Sequence, residues 1–256
     1  MRIWKPLAEP PETIELAPRD TEELRFVVVR SQQDIRLWNA MIREHHYIKS
    51  SRLFGPQVRY LVYGSKKSDP QPVPENAAAW KAEASSDRDN AASGAVPLFR
   101  GIRAFPDSDK SPNGILLAVL GFASSAWRLS SRDRFIGWND EQRIANLRYV
   151  VSNARFLILP WIRCPNLASR ILGGIVRRLP QDWEERYHYR PVLLETFVQL
   201  DRFTGTCYKA ANWIRLGTTD GYSLYGIKQR KQMPTRAVFV YPLIRKFREI
   251  LCCARG

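Results

Sequence analysis

Tyr149-Val150-Val151-Ser152-Asn153-Ala154-Arg155-Phe156-Leu157-Ile158-Leu159-Pro160 opens the stretch whose reading decides the fold. A turn, Arg163-Cys164-Pro165-Asn166, follows, and then an amphipathic segment from Leu167 to Leu179. After Pro191 comes a second apolar run, Val192-Leu193-Leu194-Glu195-Thr196-Phe197-Val198. The stretch closes with Gly205-Thr206-Cys207-Tyr208-Lys209-Ala210-Ala211-Asn212-Trp213 and reaches Gly217. Short β-rich runs alternating with helical patterns predict strand, helix, strand, helix, with the sheet buried. Leu167, Ile171, Ile175 and Leu179 share one helical face, while Arg170, Arg177 and Arg178 lie elsewhere. Asn166 is the expected cap of that helix, because an Asn side chain can accept from the free amides of a first turn.

Upstream, Arg25–Arg30 reads as a short strand. Ser31, three residues before Asp34, starts a helix whose apolar positions Ile35, Trp38 and Ile42 run toward His45-His46-Tyr47. Gln57–Tyr63 and Ile115–Phe122 are further strands. Residues 127–138 form an ordered loop with a short helix, and Asn139 begins the next one. The tail holds a strand at Arg236–Tyr241 and a short basic helix from Ile244 to Leu251. Residues 1–24, rich in Pro and Glu, are expected to be loosely held. Residues 65–113 lack periodicity apart from a short helical pattern at Glu75–Ala84, and are expected to be a flexible surface insertion in the single domain 25–256.

These phrases also carry a resemblance. His45-His46-Tyr47, Val58-Arg59-Tyr60-Leu61-Val62, Gly121-Phe122-Ala123-Ser124-Ser125-Ala126-Trp127 and Asp133-Arg134-Phe135-Ile136-Gly137-Trp138 precede Arg155–Arg163, Pro165–Ser169 and Leu193–Val198 in order. Together they resemble the DruA-type family, named for a component of the Druantia antiphage system, with relatives beside transposases or fused to them. The order of elements is more distantly similar to the GNAT acyltransferase fold. The resemblances imply an α/β protein with a GNAT-like mixed, mostly antiparallel sheet flanked by helices.

The GNAT resemblance also implies a cofactor site to look for. The turn after the fourth strand in those enzymes cradles the pyrophosphate of coenzyme A with backbone amides at a helix N-terminus. The matching residues here are Arg163, Asn166 and Ala168. Asn166 stands where a glycine would let the ligand approach the backbone, and Pro165 removes a donor. Tyr208 matches the tyrosine that many of those enzymes use as general acid.

Three residues are candidates for catalysis: Glu195, Tyr208 and His45. Glu195 lies midway along a buried strand, so it must find a cation such as Arg155 or Arg59, or else its pKa rises. Adjacent histidines on a regular helix point to different faces, so His45 and His46 cannot both ligate one ion. A core-facing imidazole is the plainer reading of either. Cys164, Cys207 and the adjacent Cys252-Cys253 form no C-x-x-C pair, and no metal site is expected.

Charge points to a partner class. The chain carries 40 Lys and Arg against 25 Asp and Glu, a formal +15, and the half from Gly121 onward holds 23 basic and 10 acidic side chains. Such asymmetry favours a polyanion over a solvated basic face. Arginines supply phosphate contacts, and tryptophans offer a face to an unstacked base. The candidate contacts are Trp127, Arg128, Arg132, Arg134, Trp138, Arg155, Arg163, Arg170, Arg177 and Arg178. A nucleic acid is the expected partner, DNA with a single strand as one form of it, alongside other defence-system or transposase proteins. An acyl-CoA-dependent acyltransferase and a strand-processing nuclease are the alternatives. No apolar run reaches eighteen residues and the N-terminus lacks a secretory h-region, so a cytoplasmic protein without a membrane span is expected.

Overall fold

The computed structural model describes residues 12–21, 23–64, 114–219, 222–225, 229–232 and 234–253. The expected insertion at 65–113 and its Glu75–Ala84 helix lie outside these residues. Seven strands form one sheet: β2 (Leu24–Val28), β3 (Gln57–Gly64), β4 (Ile115–Ser124), β5 (Val150–Ile158), β7 (Leu193–Gln199), β11 (Arg236–Pro242) and β8 (Ile214–Thr218), in that spatial order. All pairs are antiparallel except β5–β7. A two-residue strand pair, β1 (Ile14–Glu15) with β6 (Ile162–Arg163), and the pair β9 (Tyr222–Tyr225) with β10 (Gln229–Gln232) stand apart from it. The architecture is thus a mixed, mostly antiparallel α/β sheet with helices on its faces.

Local chemistry explains most boundaries. Helix α1 (Gln32–His45) starts where the Ser31 hydroxyl accepts from the Asp34 amide at 3.0 Å. Two shorter helices follow β4: α2 (Ser130–Ile136), stopped by Gly137 in the left-handed region, and α3 (Asp140–Asn146). In α3, Asn139 and Gln142 satisfy one another's backbone amides as a reciprocal capping box.

Helix α4 (Leu167–Tyr187) differs from the sequence reading at both ends. Its Asn166 sits in the left-handed region with φ 58° and makes no side-chain cap; its carbonyl instead meets the Ser169 hydroxyl and the Arg170 amide. The helix also runs through Pro180 rather than stopping at Leu179, because the next turn buries Asp182 and Trp183. Proline forfeits one hydrogen bond there, and the buried turn offsets it. Beyond β7, α5 (Thr206–Ala210) leads into β8, and α6 (Phe247–Leu251) closes the described chain.

Helix α1 and helix α4 cover opposite faces of the sheet. Trp38 of α1 lies against Gly121, where an added Cβ would come within 2.8 Å of its ring, and its indole N–H donates to the Leu120 carbonyl. On the other face, Tyr60 donates to Asp182 of α4 at 2.9 Å. Residues 12–21, ahead of β2, make contacts with the rest of the chain. Leu16 is buried, Ile14 and Leu16 pair with the backbone of Trp161 and Arg163, and Arg170 holds Pro18 and Thr21. Leu16 supplies the apolar contact that composition alone concealed. Among the described residues no helix is long and apolar enough to cross a membrane.

Candidate functional site

The α1 face continues past β4 onto β5, β7 and β11, and there the charged side chains gather. Strand register sets which residues share this face. Arg155 pairs with Gly121, Ser152 with Glu195, and Glu195 with Val240. Alternation along β7 and β11 adds Phe197, Gln199, Val238 and Arg236. Helix α2 covers the far end of this floor, and the loop after α1 covers the near end.

Glu195 is fully buried, as a carboxylate in the middle of a central strand would be, and it is paired. Its partner is Arg132 of α2 at 2.8 Å, not Arg155 or Arg59. The second carboxylate oxygen accepts from the Ala126 amide at 2.8 Å. Arg132 is itself fully buried and also donates to the Ala126 carbonyl and to Asp133. Asp133 accepts from the Trp138 indole and the Leu129 amide, and the guanidinium lies 5.6 Å from the Trp138 ring. Burial pushes the Glu195 carboxyl up, while the Arg132 guanidinium and the Ala126 amide pull it back. With both carboxylate oxygens engaged, this unit locks α2 to the sheet rather than presenting a base to solvent.

Two expectations are corrected by that burial. Arg132 cannot reach a phosphate, because it has no exposed surface. Trp138 is buried as well and offers no free ring face. Of the sequence-expected contacts, Trp127 is exposed and rests 5.5 Å from Arg143. Arg128 is exposed and bridges to Asp140, and Arg134 is exposed. Arg163 and Arg177 reach the surface, though Arg163 folds back on the Pro160 and Ile162 carbonyls. Arg178 is tied to buried Asp182, and Arg170 is committed to Thr21, so both are spent on structure. Arg155 is half-buried and donates to three carbonyls, of Ser50, Ala154 and Arg52.

The remaining catalytic candidates separate in space. Tyr208 is buried on the opposite, α4 face, stacked on Phe239 and donating to the Asn153 side chain at 2.7 Å. Burial raises its hydroxyl above the ordinary tyrosine range. His45 meets Trp161 edge-on at 5.1 Å, and its Nε2 lies 3.5 Å from Glu44. Burial lowers His45 and raises Glu44. Glu195, Tyr208 and His45 have different partners and make no shared constellation. His46 is buried with Nδ1 accepting from the Ile48 amide, and burial and nearby Arg155 push its pKa down to about 4.

The turn implied for coenzyme A lies at the surface, with Arg163, Pro165 and Asn166 exposed. Arg163 folds back on the Pro160 carbonyl and β1 lies along it, with the Leu16 amide on the Arg163 carbonyl. Asn166 projects a side chain from a left-handed backbone position, and Ala168 follows in the first turn of α4. Where β5 and β7 part after Ser152 and Glu195, Thr196 and Tyr208 bridge to Asn153. Residues 163–168 hold none of the glycines that let a pyrophosphate approach the backbone closely.

Sequence reasoning missed Tyr47, Arg202, Phe203 and Arg236, which the fold brings to the floor beside Arg155. The Tyr47 ring meets Phe203 at 5.4 Å and Arg202 at 5.7 Å. Arg202 and Phe203 sit in a polar loop without periodicity, so only the exposed Arg-Phe pair itself hinted at them.

Comparison with known proteins adds two findings and one absence. The solved structures similar to this chain include acetyltransferases at low identity. An N-acetyltransferase from Staphylococcus aureus Mu50 is 10% identical, with 86% of this chain and 98% of that one covered and a TM-score of 0.40. A GNAT-family acetyltransferase from Streptococcus pneumoniae is 9% identical, with 86% and 99% covered and a TM-score of 0.41. The N-acyl amino acid synthase FeeM, from uncultured soil microbes, is 9% identical over 87% and 93%, with a TM-score of 0.40. No curated protein matches the chain significantly. The family model of the Druantia protein DruA matches residues 108–227. That stretch, which holds the elements from β4 to β9, is therefore similar to the DruA family, as its own phrases indicated.

Proposed function

We propose that this chain is a nucleic-acid-binding component of a prokaryotic antiphage defence system of Druantia type or of a related transposon-associated system. The surface at Trp127 carries the reading. Trp38, Trp138, Trp161, Trp183 and Trp213 are all buried, whereas Trp127 is 59% exposed. Its ring lies near Arg143, and Arg128 and Arg134 are exposed within seven residues of it. The Arg128–Asp140 bridge is a surface pair with both partners about two-thirds exposed. Such a pair contributes little, so Arg128 is free to exchange its partner for a phosphate. A net charge of +15 draws a polyanion to this surface. The DruA match supports the defence setting.

The test is a mobility-shift series on the full chain with single-stranded and duplex DNA of equal length. The parent is expected to shift the single strand at lower protein concentration, and Trp127→Ala to remove that preference. Binding of neither form at low salt would refute the reading.

A further inference from the structure

The floor of the α1 face holds an electrostatic imbalance that the fold itself does not resolve. Arg155 and Arg236 share this face, on β5 and β11. Burial lowers the Arg155 pKa, Tyr47 raises it, and Arg236 lowers it further. The Tyr47 hydroxyl feels Arg236, Arg155 and Arg202 together, with Asp201 as the one carboxylate acting on it. Asp201 already accepts from the Gln199 amide at 3.1 Å. Arg155 is satisfied by carbonyls alone, and the buried Arg236 Nε has no hydrogen-bond partner among the described residues. Among those residues neither Arg202 nor Arg236 makes an ion pair. Like charges gathered at a half-buried site are costly unless an anion joins them.

Beside these guanidiniums the surface is aromatic. Phe203 is 49% exposed and rests on Tyr47, and Tyr47 stacks on His46 at 4.6 Å. Across the same loop Phe54 is 66% exposed beneath Arg52. Arginines without acids beside open ring faces match a strand of nucleic acid, in which phosphates and unstacked bases alternate.

We infer that a single nucleic-acid strand docks here, with a phosphate against Arg202 and Arg236 and an unstacked base on Phe203. This rests on the nucleic-acid reading above and adds to it a second binding surface, reached from the loops after α1 and β7. Arg155 is the positioning residue: it ties Ser50 and Arg52 to the sheet and so fixes the loop that carries Tyr47.

The experiment measures anisotropy of a labelled twelve-residue oligo-dT and of a duplex of equal length, on the full chain, across a salt series. Arg202→Ala and Arg236→Lys are the charge variants, and Phe203→Ala is the stacking variant. Thermal melting of each confirms an unchanged fold. Arg202→Ala is expected to flatten the single-strand salt slope by about 0.7, the value for one phosphate no longer neutralised. Phe203→Ala is expected to weaken oligo-dT about tenfold at unchanged slope while sparing the duplex. Arg236→Lys, which keeps the charge but not the planar fork, is expected to weaken oligo-dT a few-fold. If Trp127→Ala abolishes single-strand binding while these three variants bind like the parent, the second surface is overturned and the general reading survives. If the parent binds no DNA at all, both fall together. Equal weakening of duplex and single strand in every variant would leave only nonspecific charge and would also overturn the inference.

Discussion

At the scale of single residues, the buried Glu195–Arg132 pair makes the firmest energetic claim. Each ion has left water, and only mutual attraction and the hydrogen bonds to Ala126 and Asp133 offset that cost. Arg132→Ala strands the buried Glu195 carboxylate and is expected to cost about 3–5 kcal/mol by urea denaturation, more than Glu195→Ala, which leaves Arg132 its pair with Asp133. The double replacement Glu195→Leu with Arg132→Met should cost less than Arg132→Ala alone. A loss under about 1 kcal/mol in Arg132→Ala would contradict this coupling. His46 gives a pH signature. Its folded pKa is pushed down to about 4, below its ordinary 6.5, so the unfolded chain binds the proton first. Its contribution is therefore complete above pH 6.5 and drains away as pH falls toward 4, by about 3 kcal/mol. His46→Gln should flatten unfolding stability between pH 6.5 and 4.5 relative to the parent. Parallel curves for the two proteins would dismiss the effect.

Among the elements, β1 departs most from the sequence reading. Composition marks residues 1–24 as loose, yet Leu16 is buried and β1 pairs in parallel with β6 beside the turn at Arg163. Two residues of strand carry no recognisable alternation, so no local signal was there to find. Leu16→Ala is expected to lower stability by about 2–3 kcal/mol and to raise protease cleavage within residues 12–21. Wild-type stability in that variant would return the segment to the loose class. The longer elements were legible because their chemistry is local. Ser31 caps α1, and the Asn139–Gln142 pair starts α3. The apolar spacing carries helix α4 only to Leu179, and the buried turn at Asp182 and Trp183 takes it on through Pro180.

For the whole molecule, excess charge and fold divide the arginines into two populations. Arg132 and Arg170 bind other parts of the chain, whereas Arg128, Arg134, Arg177 and Arg178 lie at the surface, Arg178 tied there to Asp182 of its own helix. Arg128→Ala with Arg134→Ala is expected to reduce the salt slope of single-strand DNA binding by roughly 0.7 for each phosphate left without its arginine. Arg170→Ala should lower thermal stability and leave that slope alone. A flattened slope in Arg170→Ala and none in the surface pair would reverse the division. Sequence by itself determined the order of the longer strands and helices, the burial of Glu195 and the excess of positive charge, because periodicity, caps and charge counts are carried by neighbouring residues, whereas β6, β8, β9 and β10 went unread. Only the tertiary structure decided that Glu195 answers to Arg132, 63 positions away, and that Tyr208 and His45 stand apart from it. It alone set Tyr47, Arg155, Phe203 and Arg236 on one floor. Strand register and loop packing determine which distant residues share a face, and neither is written in any local stretch of sequence.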